Sequence, residues 1–252
     1  MKLTELDAWL SEYLALSGVG EADVALNGIQ VARRGEEVAK VAFAVDACME
    51  SVRRAADWGA DMLFVHHGLF WGKPERLAGG LYERIRALLE ADICLWAAHL
   101  PLDMHPESGN NAGLARLLGL LDTAPFGKYH GLAIGIRGTL PRPMDIAEVA
   151  SLLAEGRPDQ LRMLPFGPRQ VRTVGIVSGG APDLAREAIR ERLDLFVTGD
   201  ASHEIYHDCL EGGIHVIFGG HYRTETVGVR LLADRLGVMG LSTRFLDVPT
   251  GL

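Results

Sequence analysis

A chain of 252 residues is long enough for one large domain or for two lobes that each bury a hydrophobic core. Hydrophobic residues make up 48% of it and charged residues 23%, which is typical of a globular α/β protein. The net charge of −8 argues against general binding of nucleic acid, and no apolar run approaches the roughly 18 residues of a membrane span.

The compartment is indicated by the N-terminal residues and by the cysteines. The first seven residues include acidic side chains and no apolar segment, so we expect no secretory signal. Cys48, Cys94 and Cys209 are odd in number and show no Cys-x-x-Cys spacing, which favours a reducing, cytoplasmic environment. Cys94 lies in an apolar run, where we expect a small core residue.

In the first half of the chain, helical and extended patterns alternate. The expected elements are a helix at 3–16, an extended piece at 27–31, a strand at 41–45, a helix at 47–58 ended by Gly59, a strand at 61–65, a helix at 80–91, a strand at 93–98 and a helix at 112–118. Alternation of this kind predicts an α/β fold with mainly parallel sheets and flanking helices.

The second half continues the alternation after a Pro- and Gly-rich stretch at 122–130. The expected elements are a strand at 131–140, a helix at 145–155 capped by Asp145, a loop with Pro158, Pro165 and Pro168, a strand at 171–177, a helix at 182–191, a strand at 194–198, a helix at 201–211, a strand at 214–218 and a helix from about 222. We therefore expect one lobe at 1–125, with 222–252 packing back onto it, a second lobe at 126–221, and no inserted domain.

The two halves also resemble each other. Val41 begins a strand and Asp61 begins the next, and Val174 and Asp194 repeat that separation of 20 residues. Two related βαβαβ lobes, offset by about 130 positions, would explain this spacing. Generic βαβ patterning would also produce it, so both interpretations remain open.

Polar residues follow the expected strands at the points where ligands collect in open α/β sheets, beyond the carboxyl ends. The first lobe supplies His66, His67, His99 and Asp103, and the second supplies Ser178, Asp200, His221 and Glu225. Because neighbouring side chains of a strand point to opposite faces, we expect the rings of the His-His pair to splay towards two different points.

Five of these residues form a set that metal binding explains. His221 and Glu225 lie one turn apart if a helix begins near residue 222, and His66, His67 and Asp103 add two imidazoles and a carboxylate. Such nitrogen and oxygen donors suit Zn²⁺, Fe²⁺ or Mn²⁺, and five ligands suit two divalent ions with Glu225 bridging them. The alternatives are a solvated helical pair, a capping aspartate, and one surface and one core histidine.

The remaining histidines are candidates for other roles. His203 and His207 have the i, i+4 spacing of a rival ligand pair, and His207 and His99 are candidate proton shuttles. Core packing is the other interpretation of His99. We expect His105, His130 and His215 to be structural. The glycine-rich turn at 175–180 matches neither a dinucleotide-binding motif nor a P-loop, so a tight turn explains it as well as a phosphate site does.

Several short motifs occur together, and in one order, along the chain. They are Asn-Gly-Ile-Gln-Val at 27–31, His-His-Gly at 66–68, His-Leu-Pro-Leu-Asp at 99–103 with Gly-Asn-Asn at 109–111, Thr-Gly-Asp at 198–200 and Gly-His-Tyr-Arg-Thr-Glu at 220–225. With them the chain resembles the compact bacterial form of the NIF-three-like family, dinuclear-metal proteins often named GTP cyclohydrolase type 2 homologues. The resemblance implies metal ligation by His66, His67, Asp103, His221 and Glu225.

The resemblance also implies an assembly and an activity. Family members consist of two similar α/β lobes and form a homohexameric ring with the metal sites facing an inner cavity. We expect a metal-dependent hydrolase that acts through a metal-bridging water on a small molecule or nucleotide, with ring opening of a purine nucleotide as one candidate reaction. The alternative is a non-catalytic metal-binding ring that acts as a scaffold or regulator. The Thr-Gly-Asp motif at 198–200 has Asp200 in its third position, where the family often has glutamate, so no role is carried over to Asp200.

Overall fold

The computed structural model describes residues 1–154, 156–157 and 161–252. Its contacts divide the chain into two compact units, one made of Met1–Ser108 with Gly228–Pro249 and one made of Gly109–Val227 with Thr250–Leu252. Each unit contains one sheet with helices beside it, which confirms the expected α/β class. Among the described residues, no helix combines the length and the apolar character that a membrane span requires.

The sheet of the first unit has five strands. They are β1 (Gly28–Val31), β2 (Lys40–Asp46), β3 (Met62–His67), β4 (Cys94–Ala97) and β11 (Ser242–Phe245), in the spatial order β1-β4-β3-β2-β11. All neighbours pair in parallel except β1, which runs antiparallel to β4. The expected mainly parallel pairing therefore holds for this sheet, and it brings the carboxyl ends of β2, β3 and β4 to one edge.

The helices of the first unit connect these strands. They are α1 (Leu3–Tyr13), α2 (Met49–Trp58), α3 (Gly79–Glu90) and α4 (Leu100–Met104), and the later part of α9 (His221–Val238) belongs to the same unit. Gly59 ends α2 with a φ of 70°, as expected for a glycine at a helix C-terminus. Cys94 is fully buried, as predicted, and burial raises the pKa of its thiol to about 12.

Both faces of this sheet are apolar because helices cover a parallel sheet on each side. On one face Phe43, Phe64 and Trp96 occupy paired positions on three adjacent strands, and their ring centroids lie 5.3 Å apart in each neighbouring pair. The other face carries smaller side chains, among them Leu63 and Leu95. The strands that deliver the candidate ligands are thus fixed by a closely packed core.

The second unit has a six-stranded mixed sheet. Its strands are β5 (Leu121–Tyr129), β6 (Leu132–Met144), β7 (Arg162–Pro165), β8 (Val171–Val177), β9 (Leu195–Thr198) and β10 (His215–Phe218), in the order β5-β6-β8-β9-β10-β7. Only β8, β9 and β10 pair in parallel with one another, while β5, β6 and β7 add antiparallel partners at the two sides. The parallel part repeats the arrangement of the first unit, and the antiparallel part is additional.

The helices of the second unit flank this sheet. They are α5 (Asn110–Leu117), α6 (Ile146–Leu153), α7 (Ala185–Arg190), α8 (Tyr206–Gly212) and the first part of α9, with a 3₁₀ helix at Pro182–Leu184 before α7. Asp145 caps α6, as predicted, by accepting a hydrogen bond from the backbone amide of Glu148. The expected end of this helix at residue 155 and the loop residue Pro158 lie outside the described residues.

The boundary between the units differs from the expected one. Helix α5 belongs to the second unit because the Asn111 amide group donates to the carbonyl of Ile134 and accepts from the amide of Ser178, both at 2.8 Å. The Pro- and Gly-rich stretch, where the expected lobe boundary falls, lies almost entirely in strand β5. Pro125 fits this position because β5 lies at the edge of the sheet, the place where strands tolerate proline.

The two units share a local hydrogen-bonding arrangement that generic βαβ patterning does not require. Oδ2 of Asp61 accepts hydrogen bonds of 2.8 and 2.9 Å from the amides of residues 39–40, at the start of β2. Oδ2 of Asp194 accepts hydrogen bonds of the same lengths from residues 172–173 of β8. The same carboxylate clamp thus joins the beginnings of equivalent strands, which favours an internal repeat.

Candidate metal centre

In the first unit, β3 ends on the histidine pair. His66 is fully buried and His67 is partly exposed, and their ring centroids lie 4.7 Å apart with an angle of 43° between the rings. The two rings nevertheless differ in burial and in their Nδ1 partners, and their expected reach towards two separate points stays a prediction. The pair occupies the last two positions of the strand, and hydrogen bonds at both Nδ1 atoms turn the rings so that they lie close together.

His99 and Asp103 follow β4 at the same edge of this sheet. The ring of His99 lies 5.2 Å from that of His66 and 5.8 Å from that of His67, and the ligand atoms of the three histidines lie within 4.8 Å of one another. Asp103 is buried on α4 with Oδ2 at 3.6 Å from Nε2 of His66. The core-packing interpretation of His99 does not describe it, because its side chain is 23% exposed.

The tautomer of each histidine follows from its partner. Nδ1 of His66 lies 2.9 Å from the carbonyl oxygen of Ala98, and Nδ1 of His67 lies 2.9 Å from Oδ1 of Asp46. Nδ1 of His99 has the same distance to Oδ1 of Asp23. Since these oxygens only accept, each Nδ1 carries the proton, and each Nε2 keeps a lone pair of the kind that binds metal ions.

Asp23 is a buried anchor for His99. Its carboxylate also accepts hydrogen bonds from the amides of Ala25 and Leu100 and from the side chain of Asn27, at 2.9 to 3.0 Å. Burial on its own would raise the pKa of this carboxyl, but the hydrogen bonds, with that of His99 foremost, outweigh burial and hold the pKa below its usual value. An ionised Asp23 therefore fixes both the ring and the backbone of His99, because Asn27 also accepts from the His99 amide.

In the second unit, the first turns of α9 carry the other two predicted ligands. His221 and Glu225 lie one turn apart, as the spacing predicts, with Nε2 of the histidine 3.3 Å from Oε1 of the glutamate. Nδ1 of His221 lies 2.9 Å from Oδ2 of Asp200. The hydrogen bond with Glu225, aided by Asp200, raises the pKa of His221 to about 9 against the opposing effect of burial. Asp200 thus orients His221 in the way that Asp46 orients His67.

The glycine-rich turn after β8 makes room for these ligands. Gly179 has a φ of +64°, and a Cβ atom there would collide with Oε1 of Glu225. A Cβ at Gly199 would lie 2.8 Å from Cα of His221, and Gly199 donates to the carbonyl of Gly179 at 2.9 Å. The tight-turn interpretation of this sequence is favoured over a phosphate site, since the next α-helix, α7, has only six residues.

The other histidines have different surroundings. His203 and His207 are exposed, and because α8 begins only at Tyr206 they are not one turn apart on a helix. Nδ1 of His105 accepts two backbone hydrogen bonds, and both ring nitrogens of His215 bond to backbone groups. His130 is exposed in the turn between β5 and β6. The role of His207 as a proton shuttle stays a prediction.

Sequence reasoning missed Asp46 and Asp23 as functional residues. Asp46 could have been found, because it ends a strand next to β3 and is paired in register with His67. Asp23 had no comparable signal. It lies in an irregular segment 76 residues before His99, and only the folded chain brings the two together.

Comparison with known proteins gives a consistent picture over the full length. A family model described as Duf34/NIF3 (NGG1p interacting factor 3) matches residues 1–249. Proteins named GTP cyclohydrolase 1 type 2 homolog from Treponema pallidum and Deinococcus radiodurans are 44% and 42% identical, over 100% and 98% of this chain and 100% and 94% of theirs. A crystal structure of a Thermus thermophilus protein superposes with a TM-score of 0.91 at 40% identity, over 100% of both chains.

Proposed function

The chain belongs to the Duf34/NIF3 family, and on that premise we propose that it binds two divalent metal ions through His66, His67, Asp103, His221 and Glu225 and hydrolyses a small molecule or nucleotide. One observation carries the proposal. Each histidine of this set has its Nδ1 within 2.9 Å of an oxygen acceptor, which is the arrangement in which metal-binding histidines present Nε2 to an ion.

The donor set supports two ions over one. Three imidazoles and two carboxylates exceed the three protein ligands that a single catalytic zinc ion takes. Two ions would use all five, and Glu225 is the natural bridge because a carboxylate offers two oxygens and an imidazole offers one lone pair. The absence of thiolates favours zinc, iron or manganese over metals that require sulfur.

Three carboxylates would orient histidines of the site. Asp46 and Asp200 hold the rings of His67 and His221, and Asp23 holds His99 with its Nε2 directed away from the carboxylate. When bound, divalent ions polarise an electrophile and lower the pKa of a bound water towards neutrality. His99 would then orient the substrate or accept a proton at Nε2. The names of the relatives suggest hydrolysis of the purine ring of GTP as the reaction to test first.

The test combines metal analysis of the purified protein with a turnover screen of nucleotides, phosphoesters, amides and cyclic amidines. We expect His67→Ala and Glu225→Ala to lower the metal content while circular dichroism shows a folded chain. His130→Asn, a change at an exposed turn histidine, is the matched control and should keep the metal. Full occupancy in both ligand variants would contradict the ligand set. A metal-loaded wild type that turns over nothing in the panel would contradict the hydrolase.

Burial supports a second candidate, a non-catalytic ring in which the metals serve as structural staples. His66 is fully buried and Glu225 is 2% exposed, which suits a closed coordination shell without a water. We propose a homohexamer in either case, and light scattering of the purified protein tests it. X-ray absorption of the metal-loaded protein separates the two functions, since an exchangeable water ligand favours the hydrolase and its absence favours the staple.

A further inference from the structure

The segment after the histidine pair carries a tryptophan back towards the imidazoles. Trp71 is partly exposed, and its ring centroid lies 5.1 Å from that of His99 with an angle of 76° between the rings. The centroid of the His67 ring lies 5.9 Å away, at an angle of 44°. A large aromatic side chain thus stands beside two of the three clustered histidines, in contact distance of both.

The backbone that presents Trp71 is held by a single glutamine. Oε1 of Gln30 accepts hydrogen bonds from the amides of Leu69 and Phe70, at 2.6 and 3.3 Å. Its Nε2 donates to the carbonyl oxygens of Leu26 and Phe70, and the amide of Leu26 donates to the same Phe70 carbonyl at 3.1 Å. The residue before Trp71 is therefore fixed on both its N–H and its C=O side.

Two glycines make this close approach feasible. A Cβ atom at Gly68 would overlap the side-chain amide of Gln30. At Gly72, where φ is +70°, a Cβ would lie 2.9 Å from the carbonyl oxygen of Val24. A side chain at position 72 would thus be strained, and one at position 68 would displace the Gln30 amide that holds this segment, so the location of Trp71 is built into the fold of the first unit.

We propose that Trp71 is a stacking platform for a planar heteroaromatic ring, such as a nucleobase, whose edge then faces Nε2 of His67 and His99. Indole faces pair with flat π-systems of any base, so the platform would select for ring shape and not for one hydrogen-bonding pattern. Binding of the ring to Trp71 does not require turnover, whereas a role of that binding in turnover rests on the proposed hydrolase.

The test is calorimetric binding of guanosine, adenosine and ribose to the metal-loaded, full-length protein. We expect both nucleosides to bind and ribose not to bind. Trp71→Ala and Trp71→Leu should weaken nucleoside binding about tenfold, because base–aromatic stacking is lost, whereas Trp71→Phe should keep most of the affinity. Trp9→Ala is the matched control, since Trp9 stacks on Tyr13 and not on the histidines, and it should bind like the wild type.

The outcomes separate this inference from the proposed function. Failure of both nucleosides to bind the wild type would overturn the platform, and so would equal affinity in Trp71→Leu. Loss of metal in Trp71→Phe as well as in Trp71→Ala would show that the indole merely shields the imidazoles, which also overturns it. Nucleoside binding that depends on Trp71 in a protein without hydrolytic turnover would support the platform and contradict the hydrolase.

Discussion

Removal of the Asp46 carboxylate is the sharpest test of how the site is held. The hydrogen bond from Nδ1 of His67 to Oδ1 of Asp46 is 2.9 Å long and fixes both the tautomer and the orientation of the ring. Loss of such a partner typically lowers metal affinity by about 10- to 100-fold, which corresponds to roughly 1.4–2.7 kcal/mol. We therefore expect Asp46→Ala to fall in this range. Asp46→Asn should lie between Ala and wild type, because the amide oxygen still accepts but carries no charge.

The assay is competition for zinc between the protein and a chelator of known affinity, with thermal unfolding recorded by circular dichroism for each variant. Asp57→Ala removes an exposed carboxylate from α2 and is the matched control, so it should bind zinc like the wild type. If Asp46→Ala binds zinc as tightly as Asp57→Ala does, the orientation of His67 does not depend on this hydrogen bond and the reasoning is refuted.

Three further outcomes follow from the structure. Gly179→Ala should lose metal as well as about 1–2 kcal/mol of stability, because its Cβ meets Glu225. The control Gly213→Ala has the same φ of +64° with open space around it, so it should lose stability but keep its metal. Urea unfolding and metal analysis measure the two effects. Asp61→Ala should cost about 1–3 kcal/mol. Backbone hydrogen bonds and Arg33 lower the pKa of Asp61 despite burial. The stability difference between the wild type and Asp61→Ala should therefore be complete above pH 3.8 and should shrink as the pH falls towards the lower pKa of the folded state. Urea titrations at several pH values measure it. Cys94 should stay unmodified by a thiol reagent until the protein unfolds, since burial raises its pKa to about 12.

The sequence predicted best where a residue's role depends on its neighbours along the chain. Asp145 and Gly59 were identified correctly because a helix cap is a local structure of a few residues. The one-turn spacing of His221 and Glu225 was correct for the same reason. Periodicity also located most strands of the two sheets to within one or two residues. Local signals of this kind were sufficient for the α/β class and for the choice of candidate ligands.

The failures concern contacts between distant segments. The Pro- and Gly-rich stretch with Pro125 and Gly127 predicts a lobe boundary, and only pairing with β6 makes that stretch an edge strand. The ring orientations of the histidine pair likewise depend on Ala98 and Asp46, which lie 32 and 21 residues from their partners along the chain. Asp23 illustrates the same limit, because its partner lies in another part of the sequence.

The repeated carboxylate clamp has a consequence for how this protein could change. In both units the clamp aspartate directly precedes a strand. The residues five and six positions later are His66-His67 at the end of β3 in one case and Gly199-Asp200 just after β9 in the other. The second copy thus carries no imidazole there. Its glycine admits His221 and its aspartate holds that ring, so the imidazole comes from a helix. The aspartate before the strand is the same in both units, whereas the residues at its carboxyl end are imidazole donors in one unit and supporting residues in the other. Substitutions at the carboxyl end are therefore a route to a new specificity that leaves the fold undisturbed.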